Sequence, residues 1–281
     1  MTLGAKLWGR VFKPIILVVL TFAMLYPLLW MVAGSFKDNS TIFTTAHSLI
    51  PNKWDFENYR IGWKGFAGIS FATFFKNSLF VTIISTIGSV ISSTLIAYGF
   101  ARVKFAGRNL WFVCMMITMM LPYEIIMVPQ YIMFNWAGWV NTYLPLIVPT
   151  FFGTPFFVFL IMQFIRSIPY ELDEAAKIDG CSKFKLFTHI TVPLIVPAMM
   201  TSVIFSFYWR WDDFMGPLLY LNNPRLYTVS LGLKMFSDPD SITNWSALFA
   251  MSTLSVVPVF IIFFMFQRYI VEGISTSGLK G

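Results

Sequence analysis

Two clusters in this 281-residue chain combine polar groups with features that could hold a small solute. The first is Tyr208-Trp209-Arg210-Trp211-Asp212-Asp213. Aromatic faces suit the C–H surface of a sugar ring, and polar side chains suit its hydroxyls. Arg210 would also pair bidentately with a carboxylate. The same run can be read as an interfacial aromatic belt with a local Arg–Asp pair. The second cluster is Glu124 with Gln130 and Asn135, where Pro122 and Pro129 bracket the acid. An ionisable residue inside an apolar span is a functional candidate, unless it sits wet near the span's end or pairs with a neighbouring helix. The prolines free backbone carbonyls and permit a broken helix, as transporter binding regions need. Glu124, Gln130, Asn135, Trp209, Arg210, Trp211 and Asp212 are therefore the candidates to line a solute pathway.

Covalent chemistry finds no support. The only histidines are His47 and His189, so no Ser-His-Asp order is persuasive, and no catalytic residue is expected. Asp212 and Asp213 are adjacent, so on a helix they diverge by ~100°. The chain has no GxxxxGK[ST] segment to cradle nucleotide phosphates. Cys114 and Cys181 lie far apart and near no histidine, which suggests neither a disulfide nor a metal site.

The elements that position these residues follow from composition. Hydrophobic residues make up 57% of the chain and charged ones 12%, about half the usual share. Six apolar segments approach the ~20 residues that cross a bilayer. They run Pro14–Phe36, Asn77–Ala101, Leu110–Phe134, Leu144–Ile165, Pro193–Tyr208 and Ala247–Gln267. Each must be helical, because lipid leaves backbone amides no other partner. The expected fold is an all-α integral membrane protein of six transmembrane helices. The first span is too long for the core of a cleavable signal and is followed by no cleavage site.

Charge sets the orientation. Lys6, Arg10, Lys13, Arg102, Lys104, Arg108, Arg166, Lys177, Lys183, Lys185, Arg268 and Lys280 fall on one side with five acids, giving that side the whole net charge of +7. That side should be cytoplasmic, with both termini inside. Membrane topology thus accounts for the basic balance, and no nucleic-acid partner is needed. The expected organisation is an N-terminal segment and first span (1–36), an external loop (37–76), a transmembrane core (77–268) containing a polar cytoplasmic loop (167–193), and a cytoplasmic tail (269–281).

The polar loop is the most informative segment. Pro169 is read in the first turn of a helix, where its missing amide costs nothing. Glu171, Asp173 and Glu174 follow, near the positive end of the helix. Ala175 and Ala176 remove bulk and allow another surface to approach. Gly180 supplies a permissive turn, and a second helical segment from Lys183 leads to Pro193. The segment Glu174-Ala175-Ala176-x3-Gly180-x9-Ile190-x-Val192-Pro193 resembles the E-A-A-x3-G-x9-I-x-L-P loop of ABC importer permeases, with Val192 in place of Leu.

Further segments resemble the carbohydrate, maltose-type branch of that family. They include Pro122 with Pro129-Gln130-Tyr131, then Trp139-Val140-Asn141-Thr142. Trp211-Asp212-Asp213-Phe214 with Pro217-Leu218 is similar to W-N-D-F-x-x-P-L, with Asp212 for the usual Asn. Tyr227-Thr228 with Gly232-Leu233, and the tail from Gln267-Arg268-Tyr269 to Gly281, complete the order. The resemblance implies the type I importer permease fold and a multi-pass place in the inner membrane of a prokaryote. It implies an ATP-driven, binding-protein-dependent importer of neutral or acidic oligosaccharides that works by alternating access. The alternative is a permease of the same superfamily for a peptide, a polyamine or another solute. It implies partners as well: a second permease, usually a different chain, two ATPase subunits that bind ATP and Mg, and an external solute-binding protein. This chain would itself be a transport subunit, not an enzyme, and would carry no cofactor. Glu174, Ala175, Ala176, Asp179 and Gly180 would dock the ATPase.

That reading makes Gly180→Pro and Ala175→Trp a test. Each is expected to leave the protein in the membrane and to lose co-purification with the ATPase. Normal co-purification and transport would exclude the docking role.

Overall fold

The computed structural model describes residues 12–66, 68–236 and 244–278. Lys6, Arg10, Lys280 and the last residues of the tail motif lie outside them. Among the described residues the regular structure is helical, with one isolated antiparallel bridge between Phe66 and Ile69. The main helices are α1 (Lys13–Gly34), α2 (Glu57–Lys64), α3 (Phe71–Arg102), α4 (Arg108–Thr118), α5 (Tyr123–Trp136), α6 (Pro155–Ser167), α7 (Glu171–Ile178), α8 (Lys183–Leu194), α9 (Val196–Trp211), α10 (Met215–Tyr220), α11 (Val229–Met235) and α12 (Trp245–Gly278).

Four helical stretches are long and apolar enough to cross a bilayer: α1, α3, Leu144–Ser167 and Trp245–Tyr269. The third and fifth expected spans are not single straight helices. α4 and α5 meet at 100°, and α8 and α9 at 73°. At the first break α4 ends at Thr118, and Pro122, in an extended conformation (φ −58°, ψ 137°), stands at the N-cap of α5. At the second, Ile195 stands between Leu194 and Val196, and Pro193 and Pro197 flank it. A proline has no amide to give the preceding turn, so the break falls where the ladder is already interrupted. The fifth span also ends later than expected, at Trp211 rather than Tyr208.

The chain divides into two compact units. The first joins residues 1–72 to 233–256. Within it α1 is exposed along almost its whole length and buried only at Ala33 and Gly34. A helix apolar on all sides needs lipid or another protein around it. The segment after α1 is folded by buried polar groups. Lys37 Nζ donates to the carbonyls of Thr45 (2.7 Å) and Ser48 (2.6 Å). Asn58 Nδ2 donates to those of Ser35 (3.0 Å) and Lys37 (2.9 Å). The Phe36 ring sits 5.0–5.3 Å from Trp54, Phe56 and Tyr59. The expected external loop is therefore a small structured cap.

The second unit comprises residues 73–232 and 257–281. Its axis is α3, whose buried face is a stripe of small hydroxyl residues: Ser78, Thr82, Ser85, Ser89 and Ser93. These recur every three or four residues and so share one side of the helix. Ser78 Oγ accepts the Val229 amide (2.7 Å), and Ser85, Ser89 and Ser93 lie against the turns that precede α6. Ser85 Oγ donates to the Leu146 carbonyl (3.2 Å), Ser89 and Thr154 share a hydroxyl bond (2.7 Å), and Ser93 Oγ accepts the Thr154 amide (3.0 Å). Small residues let helices approach closely where no hydrophobic driving force separates lipid from side chain. Gly88 shows the need: a Cβ there would lie 2.6 Å from the Phe151 ring. A second pin is Asn141, which takes φ +62° and accepts the amides of Asn222 (3.1 Å) and Asn223 (2.9 Å) on Oδ1.

Removing a buried donor leaves its acceptors unpaired, at about 1–3 kcal/mol for each group. Asn58→Leu strands the carbonyls of Ser35 and Lys37 and is expected to destabilise the cap by that order. Faster limited proteolysis within residues 37–56, with the rest of the chain unaffected, is the measurement that checks it.

Candidate functional site

Two places in the second unit collect the candidate residues. The first is the corner formed by α7 and α8. Pro169 stands just ahead of α7, not in its first turn, because Tyr170 occupies the N-cap. The helix ends as its glycine requires. Gly180 has φ +77°, the left-handed conformation that other residues adopt at a cost. The Cys181 amide donates to the Ala176 carbonyl (2.9 Å) and the Gly180 amide to that of Lys177 (3.0 Å). This is the double bond of a Schellman cap, which satisfies carbonyls the helix leaves free. Ser182 then opens α8 by accepting the Lys185 amide on its side chain (3.2 Å).

The cap fixes two faces of α7. Asp173 and Ala176 point inward, at 4% and 5% exposure. Glu171, Leu172, Glu174, Ala175 and Ile178 point outward, and so do Asp179, Gly180 and Phe184. Ile178 is 87% exposed and Phe184 75%. Of the five residues expected to dock a partner, four are thus on the outer face, and Ala176 is packed against its own chain. The outer apolar residues Leu172, Ile178 and Phe184 were not among the expected ones.

The inward face has its own anchor. Arg102, the last residue of α3, places Nε 3.2 Å from Asp173 Oδ2, with both side chains more than 90% buried. Its Nη2 donates to the carbonyls of Ile165 (3.0 Å) and Ile168 (2.8 Å) at the end of α6. Its guanidinium also lies 5.4 Å from the centre of the Tyr170 ring, within cation–π range. The sequence presents Arg102 as one orienting cation among twelve, and nothing local to it signals the pairing.

The second place is a cavity of about 450 Å³ lined by Tyr123, Thr154, Phe157, Ser206, Trp209, Arg210 and Asp213. The break at Pro122 puts Tyr123 at the start of α5, and α6 and α9 supply the rest. Trp209 stacks on Phe157 at 5.2 Å and 19°. Asp213 Oδ1 accepts the Gly216 amide (3.0 Å), and a Cβ on Gly216 would lie 2.6 Å from Asp213 Oδ2. The glycine therefore holds the carboxylate close to the backbone. The cavity presents one cation, one carboxylate, three hydroxyls and three aromatic side chains.

Among the earlier candidates, only Trp209 and Arg210 line this cavity. Trp211 is interior packing, stacked on Phe207 at 5.8 Å and 9°. Asp212 is exposed just beyond α9. Glu124 is exposed in the first turn of α5, where the helix dipole favours an acid. Gln130 is half-buried and Asn135 exposed farther along α5. Tyr123, Thr154, Phe157 and Ser206 went unnoticed in sequence. Pro122 and the Thr154-Pro155 helix start were the available signals.

Comparison with known proteins agrees with this architecture. A family model described as the binding-protein-dependent transport system inner membrane component matches residues 89–276. The probable ABC transporter permease protein YurM of Bacillus subtilis is 37% identical over 92% of this chain and 85% of its own. The trehalose/maltose transport system permease protein MalG of Thermococcus litoralis is 31% identical over 97% of this chain and 99% of its own. The arabinooligosaccharides transport system permease protein AraQ of Bacillus subtilis is 31% identical over 97% and 96%. A solved bacterial ABC transporter involved in the import of the acidic polysaccharide alginate superposes with a TM-score of 0.82 over 96% of this chain and 98% of that one, at 20% identity. That likeness establishes the fold: a helical ABC importer permease. With the family model spanning most of the core, this multi-pass membrane protein belongs to the family of binding-protein-dependent transport system inner membrane components.

Proposed function

We propose that the chain is a permease subunit of an ATP-driven importer of neutral oligosaccharides, resident in the inner membrane of a prokaryote with six spans and both termini in the cytoplasm. The observation that carries the transport role is the α7–α8 corner. A Schellman-capped helix that holds Asp173 inward and leaves its Ile178, with Phe184 of α8, almost bare is a surface made for a partner. The proposed occupant is an ATPase subunit, docked on Leu172, Glu174, Ala175, Ile178, Asp179, Gly180 and Phe184. Two such ATPases would bind ATP and Mg. A second permease, most simply a different chain, would complete the pathway and could also cover α1. An external binding protein would deliver the solute.

The cavity supports the solute class. A polar cavity between spans has no business facing lipid, so it belongs to a water-filled path or a partner's surface. Arg210 and Asp213 together leave it without net charge, and hydroxyl groups can serve both. That composition favours a neutral sugar over a polyamine or a uronate. The names of the relatives, which speak of trehalose, maltose and arabinooligosaccharides, point the same way.

Two experiments check this. In the reconstituted complex with its binding protein, ATP hydrolysis is expected to rise with a neutral oligosaccharide such as maltotriose or an arabino-oligosaccharide, and not with oligo-uronates, peptides or spermidine. Stimulation by a peptide or polyamine alone would overturn the sugar reading. Arg210→Gln removes a charge-assisted hydrogen bond worth about 1.5–3 kcal/mol. Uptake at limiting solute should fall by about tenfold or more, with the complex still assembled. For the docking face, Ile178→Asp is expected to cost at least ~2 kcal/mol of ATPase binding, as an exposed anchor placed at an interface centre would. Pull-down of the ATPase at graded concentrations reads this directly.

A further inference from the structure

Arg102 closes a junction between three helices. One guanidinium at the end of α3 meets the buried carboxylate of α7 at 3.2 Å and two terminal carbonyls of α6 at 3.0 and 2.8 Å. The planar guanidinium fork lets Nη2 donate to both carbonyls while Nε lies in ion-pair range of the carboxylate, a spread that a compact ammonium does not match. The carbonyls of Ile165 and Ile168 belong to a helix end, where a cation is favoured, and that of Ile165 also accepts the Ile168 amide (3.3 Å). The Tyr170 ring closes the junction, with Arg102 at 5.4 Å and Lys177 at 5.2 Å from its centre.

The opposite end of α6 is held by α3 as well. Thr154, just ahead of α6, gives its amide to Ser93 (3.0 Å) and shares a hydroxyl bond with Ser89 (2.7 Å). Thr154 and Phe157 at that end line the polar cavity. α6 has 13 residues, so the two ends lie ~20 Å apart. Between them α3 and α6 share a dry core of Ala97, Phe100, Val158, Ile161, Met162 and Ile165. Ile195 and Ala198, at the bend between α8 and α9, pack into the same core, so a push on α7 has a close-packed route to the cavity wall through α6.

We propose that Arg102 is a positioning residue for transport: its junction with Asp173 and the α6 carbonyls binds α3, α6 and α7 into one body that carries movement of the α7–α8 corner to the polar cavity. The proposal rests on the docking reading of that corner, and its test separates the two.

The test uses the assembled complex with its ATPases in liposomes. Tyr123→Cys, in a background with Cys114 and Cys181 replaced by alanine, reports on the cavity. Its rate of labelling by a membrane-impermeant maleimide is measured with and without Mg and a non-hydrolysable ATP analogue. With Arg102 in place, the rate should change on adding nucleotide. The paired change Arg102→Met with Asp173→Asn nearly keeps the volume and leaves no buried charge unpaired. It should remain associated with the ATPase and lose the nucleotide-dependent difference in labelling. Arg102→Lys, which keeps the charge opposite Asp173 but not the fork, should retain a reduced difference. Should the paired variant fail to assemble, Arg102→Lys decides alone: an undiminished difference overturns the proposal, and a diminished one at full assembly supports it. If the native junction and the paired variant respond equally, the junction is not the route and the docking reading stands. If Tyr123→Cys with the native junction ignores nucleotide altogether, the proposal fails, while the docking reading is judged by the ATPase pull-down of Ile178→Asp.

Discussion

A bilayer offers a peptide amide no partner except another peptide group or a polar side chain that is itself buried. The rest of this structure follows from that constraint. It forces the apolar stretches into helices, and it makes every interruption of a helix a local problem that the protein must solve. Among the described residues, three interruptions fall within the apolar stretches of the second unit, at Pro122, at Gly153 and at Ile195. Pro122 has no amide to leave stranded. At Ile195 the amide still reaches back, to the carbonyls of Thr191 (3.1 Å) and Val192 (3.2 Å). Helices so broken can turn through 100° and 73°, and the first turn delivers Tyr123 to the polar cavity.

The same constraint governs how helices are joined. Apolar contact gives little preference for a neighbour over lipid, so polar contacts and close approach must supply it. In α3 both appear on one face. Its serines bind the turns ahead of α6, and its terminal arginine binds the carboxylate and carbonyls beyond α6. A buried ion pair is a poor source of stability in itself, because desolvation consumes most of the Coulomb gain. What Arg102 and Asp173 add is geometry. Their charges meet at 3.2 Å in the interior, and the same guanidinium holds two carbonyls at the end of α6, so α7 is seated against both α3 and α6.

Much of this was legible in sequence because it depends on local pattern. The apolar runs follow from length and composition alone, and the polar loop from Pro169 to Pro193 follows from spacing. Gly180 declared its left-handed cap, since few other residues end a helix that way. The contacts that position the sites were not legible, because they join residues distant along the chain. Arg102 and Asp173 are separated by the whole of α4, α5 and α6, and each alone reads as a surface charge. The serine stripe of α3 recurs at helical spacing, yet hydroxyl residues inside a span signal nothing until their partners at Leu146 and Thr154 are known. The aromatic run near Trp209 misled in a different way. Residues consecutive on a helix point in different directions. Of Trp209, Arg210 and Trp211, two therefore face the cavity, while the third packs against Phe207.

The placement of charge in the second unit gives the last step. At the docking corner the acid Asp173 is inside and neutralised, so the outer face of α7 can combine bare apolar residues with Glu171 and Glu174. At the cavity Arg210 and Asp213 offset one another, so hydroxyl groups meet both a donor and an acceptor. Between the two, the facing sides of α6 and α3 are apolar or hydroxyl-lined, and both are regular helices. A segment of that kind resists bending, because bending would expose amides that lipid cannot satisfy. On the proposed function, a stiff link between a contact surface and a solute cavity is what transport requires. Binding at one end must reach the other as movement, and a compliant link would dissipate it.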